Sequence, residues 1–424
     1  MSAPGLALYR FATGLAGPLA GPLLERRARA GKEDPERLGE RRGEAGLDRP
    51  GGTLVWLHAA SVGESMIALS LAEALGEIRP EASFLITSGT RTSAALVARR
   101  GAPRVTHQFP PVDRPDWARR FISHWRPDLA VFLESELWPN LIDAADRAGA
   151  GMALVNARLN ETSLKGWRRW PGSARALLSK FDWIGAADAR TAAGLSALAG
   201  RPVAKLGNLK LETGVPDPDP AALAEARTAI AGRPVFVAAS THSGEEAILV
   251  EAHRQILKER PDALMILAPR HPERAGEAEA VLQNAGLTRA LRSAGAVPGP
   301  ENQVWLADTL GEMGLWFALA PAAVVCGSYI DGIGGHNPVE ATRAGAAVIT
   351  GPFTASFDDV FAAYDAEMAR TICSNAAETA RAVMRVWAGE GPTALAARRA
   401  LATLSGGALA ATLEALTGLL ERKR

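Results

Sequence analysis

The chain has 424 residues, 47% hydrophobic and 22% charged, with a formal net charge of +1. That length accommodates two domains with cores of their own, and the near-neutral balance excludes a general nucleic-acid binder. Two cysteines, Cys326 and Cys373, supply neither a disulfide framework nor a zinc spacing, so a reducing, cytoplasmic setting is expected.

Leu6–Leu24 is apolar but carries Arg10, Pro18 and Pro22, and a cationic flank of Arg26, Arg27, Arg29 and Lys32 follows. No small-residue cleavage site follows a charged start, which disfavours a secretory signal. The prolines and glycines disfavour a spanning helix. Two readings remain, an interfacial anchor and a short helix packed on the first domain; the first is carried forward, with residues 1–50 as membrane-associated segment and connector.

Beyond the charged run Gly31–Gly43, strands and helices alternate. Thr53–Ala59, Ser83–Ser88, Asp128–Glu134, Met152–Ala157 and Trp183–Ala187 read as strands, with helices over Glu64–Leu75, over Thr90–Arg100 and from Leu141. The Pro- and Asp-rich run Glu212–Ala222 reads as a linker. A second series follows at Pro234–Ser240, Ala263–Pro269, Gln303–Asp308, Ala322–Cys326 and Ala346–Gly351. This alternation predicts an α/β chain with two doubly wound domains, 51–211 and 223–424, joined by 212–222. Such sheets bind ligands beyond the C-terminal ends of their strands, and two facing domains would make that crevice an interdomain cleft.

The unusual polar residues fall at those ends. Ser61 and Glu64 follow the first strand, Glu134 and Glu136 the third, and Asn156 and Arg158 the fourth. In the second series Ser240, Thr241 and His242 follow the first strand and Arg270 and His271 the second. Gly311–Glu312–Met313–Gly314 follows the third, and GGHNPVE, with His336, Asn337 and Glu340, the fourth. Plain structural readings stand beside functional ones. Ser61-x-x-Glu64 is also a capping box, Glu134 and Glu136 are also first-turn acids, and Ser240 and His242 could cap a helix. Arg270, directly after an apolar strand, offers a forked donor for phosphate or ribose. A double glycine opening a helix lets backbone amides approach a phosphate, with Glu340 one turn in to accept from ribose hydroxyls. No P-loop is present, and the first sheet lacks a G-x-G-x-x-G turn.

Taken in order, WLHAASVGE, LESELWPN, NARLNETS, GNLKLE, STHSGEE, PRHPER, DTLGEMG and GGHNPVE resemble the 3-deoxy-D-manno-octulosonic acid (Kdo) transferases of lipopolysaccharide synthesis. The resemblance runs from about Gly31 to Phe357, with ESE where ETE is usual and KLE where KFD is common. It implies a GT-B glycosyltransferase at the cytoplasmic face of the inner membrane, taking CMP-Kdo as a co-substrate and the lipid A precursor as acceptor, without a cofactor. It implies Glu64 as catalytic base, Glu134 and Glu136 in the active site, and Lys210 near the domain junction. Arg270, Gly311–Gly314, Asn337 and Glu340 would bind CMP, with Ser61, Ser240, Thr241 and His271 in the matching segments.

Transfer from such a donor passes through an oxocarbenium-like state by analogy with glycoside hydrolysis, and a phosphate leaving group needs charge stabilisation more than a proton. One strong base is therefore expected. A helix N-terminus would lower the basicity of Glu64, while desolvation would raise it. No Asp-x-Asp or histidine cluster in the sequence suggests a metal. A UDP-sugar transferase or epimerase of the same fold is the alternative; the ordered motifs speak against it.

Overall fold

Every run read above as a strand becomes one, and all strand pairings are parallel. The computed structural model describes residues 3–15, 17–100, 104–212, 218–404 and 406–422. They divide into two units, Met1–Gly214 with Ser405–Arg424, and Val215–Leu404.

The first unit holds β1 (Leu54–His58), β2 (Ser83–Thr87), β3 (Val105–Gln108), β4 (Leu129–Leu133), β5 (Gly151–Ala157), β6 (Trp183–Ala186) and β7 (Ala204–Lys205). Their spatial order is β3-β2-β1-β4-β5-β6-β7. The second holds β8 (Val235–Thr241), β9 (Leu264–Pro269), β10 (Arg289–Leu291), β11 (Val304–Leu306), β12 (Ala322–Val325), β13 (Ala347–Thr350) and β14 (Arg370–Ile372), in the order β10-β11-β9-β8-β12-β13-β14. The two halves of each sheet meet at a switch point, between β1 and β4 in the first and between β8 and β12 in the second. Ligands of doubly wound sheets bind outside the strand ends at such a switch point.

The central strands are apolar throughout because helices cover both faces; β1, β4 and β5 are buried along their whole length. Trp56 of β1 packs on Phe121 and Phe132 at ring distances of 5.0 and 5.2 Å. Truncating Phe132 to alanine would cost about 3–5 kcal/mol. The four strands that the sequence reading missed, β3, β7, β10 and β14, are the four sheet edges. An edge strand is short and carries polar or charged residues, here His107, Lys205, Arg289 and Arg370, so no apolar run marks it.

Two boundaries differ from expectation. Part of the expected linker, 213–217, lies outside the described residues, but its end is already a helix, Pro220–Ile230, with Asp219 accepting from Ala221 N and proline opening the first turn. The last helix, Ala408–Glu421, belongs to the first unit rather than the second. Leu416, Leu419 and Leu420 pack into the core of Leu71, Leu75 and Leu129. Its N-cap is Gly407, which has no side chain to cap with, and the Glu212 carboxylate does that work, accepting from Ala408 N at 2.9 Å and Leu409 N at 2.8 Å.

The N-terminal segment forms two helices, Pro4–Leu15 and Gly17–Arg29. Polar contacts fasten the first to its unit, among them Asn140 Nδ2 donating to Thr13 Oγ1 at 3.1 Å. Tyr9 Oη donates to Asp113 Oδ2 (2.9 Å), Arg10 pairs with Asp143 (2.9 Å) and Gly5 N donates to Ser173 Oγ (3.1 Å). Leu8, Phe11 and Leu15, at helical spacing, are 60–65% exposed. Trp170 is half exposed and lies against Gly5, where an added Cβ would come within 3.1 Å of its ring. Trp167, by contrast, packs partly buried on the core.

Candidate active site

Beyond β1 the chain turns into the helix Val62–Ile78, and Ser61 caps it by accepting from Glu64 N at 3.3 Å. The Glu64 carboxylate reaches back, accepting from Ala60 N at 2.7 Å and from Ser61 Oγ at 2.8 Å. The capping box is thus real, and Ser61 is spent within it. Each carboxylate oxygen still has lone-pair capacity for a further hydrogen bond. Glu64 is buried, and burial raises its pKa; the Glu134 charge adds to this, while the Ala60 and Ser61 hydrogen bonds and Lys210 oppose it. Desolvation wins over the helix terminus.

Glu134 and Glu136 arrive from β4, across the switch point. Glu134 (φ 52°) and Asn156 (φ 53°), ending the adjacent strands β4 and β5, both adopt left-handed backbone. Such a conformation costs on the order of 1–3 kcal/mol for a residue like Glu and is easier for Asn. The Glu134 carboxylate meets Lys210 Nζ at 2.5 Å and Asn156 Nδ2 at 3.3 Å. Asn156 also donates to Asn208 Oδ1 (3.3 Å) and accepts from Leu209 N (2.9 Å), which fixes the short turn that carries Lys210. The lysine stem lies over Gly63, where an added Cβ would meet Lys210 Cε at 3.4 Å. Glu136 accepts from Trp138 Nε1 at 2.6 Å. Burial pushes its pKa up to about 7, with the Glu64 and Glu134 charges adding. Below Trp138 lies His58, ring to ring at 5.2 Å, fully buried and held neutral by that burial with its pKa down at about 3. Lys210 thus serves two of these carboxylates, paired with Glu134 and lowering the Glu64 pKa.

The second sheet ends differently. A bulge between Ala239 and Thr241 puts Ser240 in left-handed backbone (φ 60°). Thr241 Oγ1 donates to Glu246 (3.0 Å), which also pairs with Arg274 (3.0 Å). Glu245, wholly buried, accepts from His242 N, Gly327 N, Ser328 N and Tyr329 N at 2.8–3.0 Å, and so stitches the segment after β8 to the one after β12. Arg270 is exposed, with no carboxylate partner among the described residues. His271 lies beside it, its ring 6.2 Å from that of His242. In the Gly311–Gly314 loop, Gly311 is left-handed (φ 82°), Glu312 is held by Arg292 at 2.7 Å and by the Thr309 hydroxyl, and its carbonyl accepts from Leu315 N at 2.9 Å. In GGHNPVE, Gly334 and Gly335 are left-handed, and a Cβ on Gly335 would meet Thr354 Cα at 3.2 Å. The helix expected there is only Val339–Ala344, and Asn337 Oδ1 takes the Val339 amide at 3.0 Å. One amide expected to face a phosphate is thus used locally. Glu340 is half-buried on the first turn.

A family model described as 3-deoxy-D-manno-octulosonic-acid transferase (kdotransferase) matches residues 35–213. The 3-deoxy-D-manno-octulosonic acid transferase of Bordetella pertussis is 37% identical over 368 residues, 84% of this chain and 85% of that protein. The enzyme of Rickettsia bellii is 32% identical over 358 residues, 84% of each. The chain belongs to the Kdo transferase family. It is a glycosyltransferase. Among solved structures, UDP-GlcNAc 2-epimerase from Neisseria meningitidis bound to UDP-GlcNAc superposes with a TM-score of 0.57, covering 87% of this chain and all of that one. At 11% identity it shares the fold alone, the two-sheet GT-B architecture.

In this Kdo transferase the structure gathers Ser61, Glu64, Glu134, Glu136 and Lys210 into one cluster, and Arg270 and His271 into another with His242 and His336. Sequence reasoning missed Glu245, Glu246, Asn156 and Asn208 as organisers. Their signal is a polar residue within a few positions of a strand end, which singles out no partner.

Proposed function

We propose that the enzyme transfers Kdo from CMP-Kdo to a glucosamine hydroxyl of the lipid A precursor, lipid IVA, with inversion and with Glu64 as general base. The observation that carries the reading is the Glu64 carboxylate, buried at the switch point of the first sheet with its pKa raised by that burial. A base tuned upward toward neutrality combines ionisation with proton affinity. As the acceptor oxygen bonds to the anomeric carbon its proton passes to Glu64, and the electron pair of the broken bond leaves on the phosphate oxygen. Lys210 offsets part of the negative charge of the cluster. Arg270, Ser240, Thr241, His271, the Gly311–Gly314 backbone, Asn337 and Glu340 are assigned to the nucleotide, which enters as a co-substrate. The test is mass spectrometry of products formed from CMP-Kdo and tetra-acylated precursor. A Kdo adduct supports the reading, and transfer from UDP-sugars but not CMP-Kdo would overturn it.

The same reading puts the enzyme at the cytoplasmic face of the inner membrane. Leu8, Phe11 and Leu15 would enter the interface, with Trp170 at headgroup level and the arginines of the second helix facing anionic lipid at about 1 kcal/mol each. Replacing Leu8, Phe11 and Leu15 by serine should release the protein from anionic liposomes and leave transfer to detergent-dispersed acceptor intact. Unchanged co-sedimentation would place the membrane face elsewhere.

A further inference from the structure

A second link crosses the switch point of the second sheet. His242, just past β8, and His336, in the loop after β12, bring their Nε2 atoms to 2.8 Å. Their rings are nearly parallel, with 11° between planes and centroids 5.0 Å apart. A nitrogen–nitrogen contact this short holds one hydrogen, so one imidazole donates and the other accepts. Burial favours the neutral rings, bringing the pKa of His336 to about 4 and lowering that of His242. Next to the pair stand His271 and the exposed guanidinium of Arg270, whose charge is felt by both rings. Gly327, left-handed at φ 71°, leaves the space that His336 fills; a Cβ there would sit 2.8 Å from the ring. The backbone is thus shaped to bring two histidines together where a doubly wound sheet receives an anionic ligand.

We infer that the His242–His336 pair is a leaving-group device, offering an N–H to the phosphate of the nucleotide donor and stabilising the charge this phosphate gains as the sugar departs. This rests on the donor reading above. In the donor the phosphate is a diester with one negative charge. Cleavage of the bond between anomeric carbon and phosphate oxygen leaves the electron pair on that oxygen, so the nucleotide leaves as a monoester dianion. The acceptor proton has gone to Glu64, so the new charge must be met by donors already in place. With His336 as donor within the pair, His242 carries its hydrogen on Nδ1 and becomes a donor to a group beyond the pair.

Steady-state kinetics and calorimetry on full-length His242→Leu and His336→Gln test this, with CMP and cytidine as paired ligands. The expected result for His242→Leu, which has no donor, is a kcat about 10–100-fold lower, the loss of one charge-assisted donor, with donor KM within about threefold. CMP should bind about tenfold more weakly and cytidine as in the wild type, since only CMP carries the phosphate. His336→Gln keeps an amide donor toward His242 and should fall between. Cytidine affinity reports folding, so a variant that binds neither ligand is set aside and the other decides. An unchanged kcat with an unchanged ratio of CMP to cytidine affinity in the folded variants overturns the proposal. A wild-type protein that binds neither ligand overturns the donor reading and this inference together; a wild type that binds and transfers beside indifferent variants removes only the pair.

Discussion

At the switch point of the first sheet burial acts on carboxylates, and at the corresponding point of the second it acts on imidazoles. Glu64 and Glu136 are pushed up, the latter to about 7; His242 and His336 are pushed down, the latter to about 4. In both places desolvation favours the uncharged form, but the chemical outcome is opposite. A carboxylate with a raised pKa becomes a better proton acceptor. An imidazole with a lowered pKa is a neutral hydrogen-bond donor that waits for an anion. One topology, used twice, thus carries a desolvated carboxylate rim and a desolvated imidazole rim, and the residue type placed at the strand end decides which.

The largest expected effect separates the rims. Glu64→Gln keeps the shape and the Ser61 contact but cannot accept a proton, so kcat should fall about 10²–10⁴-fold while CMP affinity measured by calorimetry stays as in the wild type. Turnover within threefold of wild type would move the base elsewhere, to Glu136 first. Next come Arg270→Ala and Glu340→Ala, each expected to weaken CMP binding by about 1.5–3 kcal/mol without moving the acid limb of the pH–rate profile. If both bind CMP normally, the second rim is not the nucleotide site.

Lys210→Met should have a smaller effect that depends on pH. Its ammonium lowers the Glu64 pKa, so its loss raises that pKa further. The base must be ionised to work; hence the acid limb of kcat/KM shifts to higher pH, and the loss at pH 6.5, about tenfold at most, exceeds that at pH 8.5. An equal loss at both pH values would show that Lys210 acts by holding Glu134 in place rather than through the charge on Glu64.

How much of this was legible beforehand follows burial. Strands covered on both faces announced themselves as apolar runs, and the edges β3, β7, β10 and β14 did not. Glu64 and Ser61 were legible as a pair because a capping box is local, three residues apart. Lys210 with Glu134, and His242 with His336, are pairs that only the folded sheets bring together, and no spacing rule joins them. Glu212 capping the last helix is of the same kind. It also explains why the C-terminal boundary was misplaced, since a helix started by Gly407 carries no capping signal of its own.

The smallest expected effect tests whether burial sets the first rim at all. Glu136 titrates near 7 in the folded protein against about 4.3 for an unfolded chain. Between those values the folded state holds a proton that the unfolded state has released, so stability falls as pH rises through that window and the penalty is complete above about 7. Glu136→Gln removes the ionisation and can keep the bond from Trp138 Nε1 to the side-chain carbonyl. It should therefore raise the thermal midpoint at pH 8, by about 1 kcal/mol once solvent screening is allowed for, or about 2–4 °C for a unit of this size. At pH 4.5 most of the gain should disappear, because wild-type Glu136 is then protonated in the folded state and the unfolded chain, close to its own midpoint of about 4.3, has released only somewhat more than half of that proton. The comparison of the two midpoints decides the matter. An equal gain at both pH values would mean that Glu136 is strained rather than desolvated, and the first rim would owe its basicity to mutual repulsion among Glu64, Glu134 and Glu136 instead of to burial.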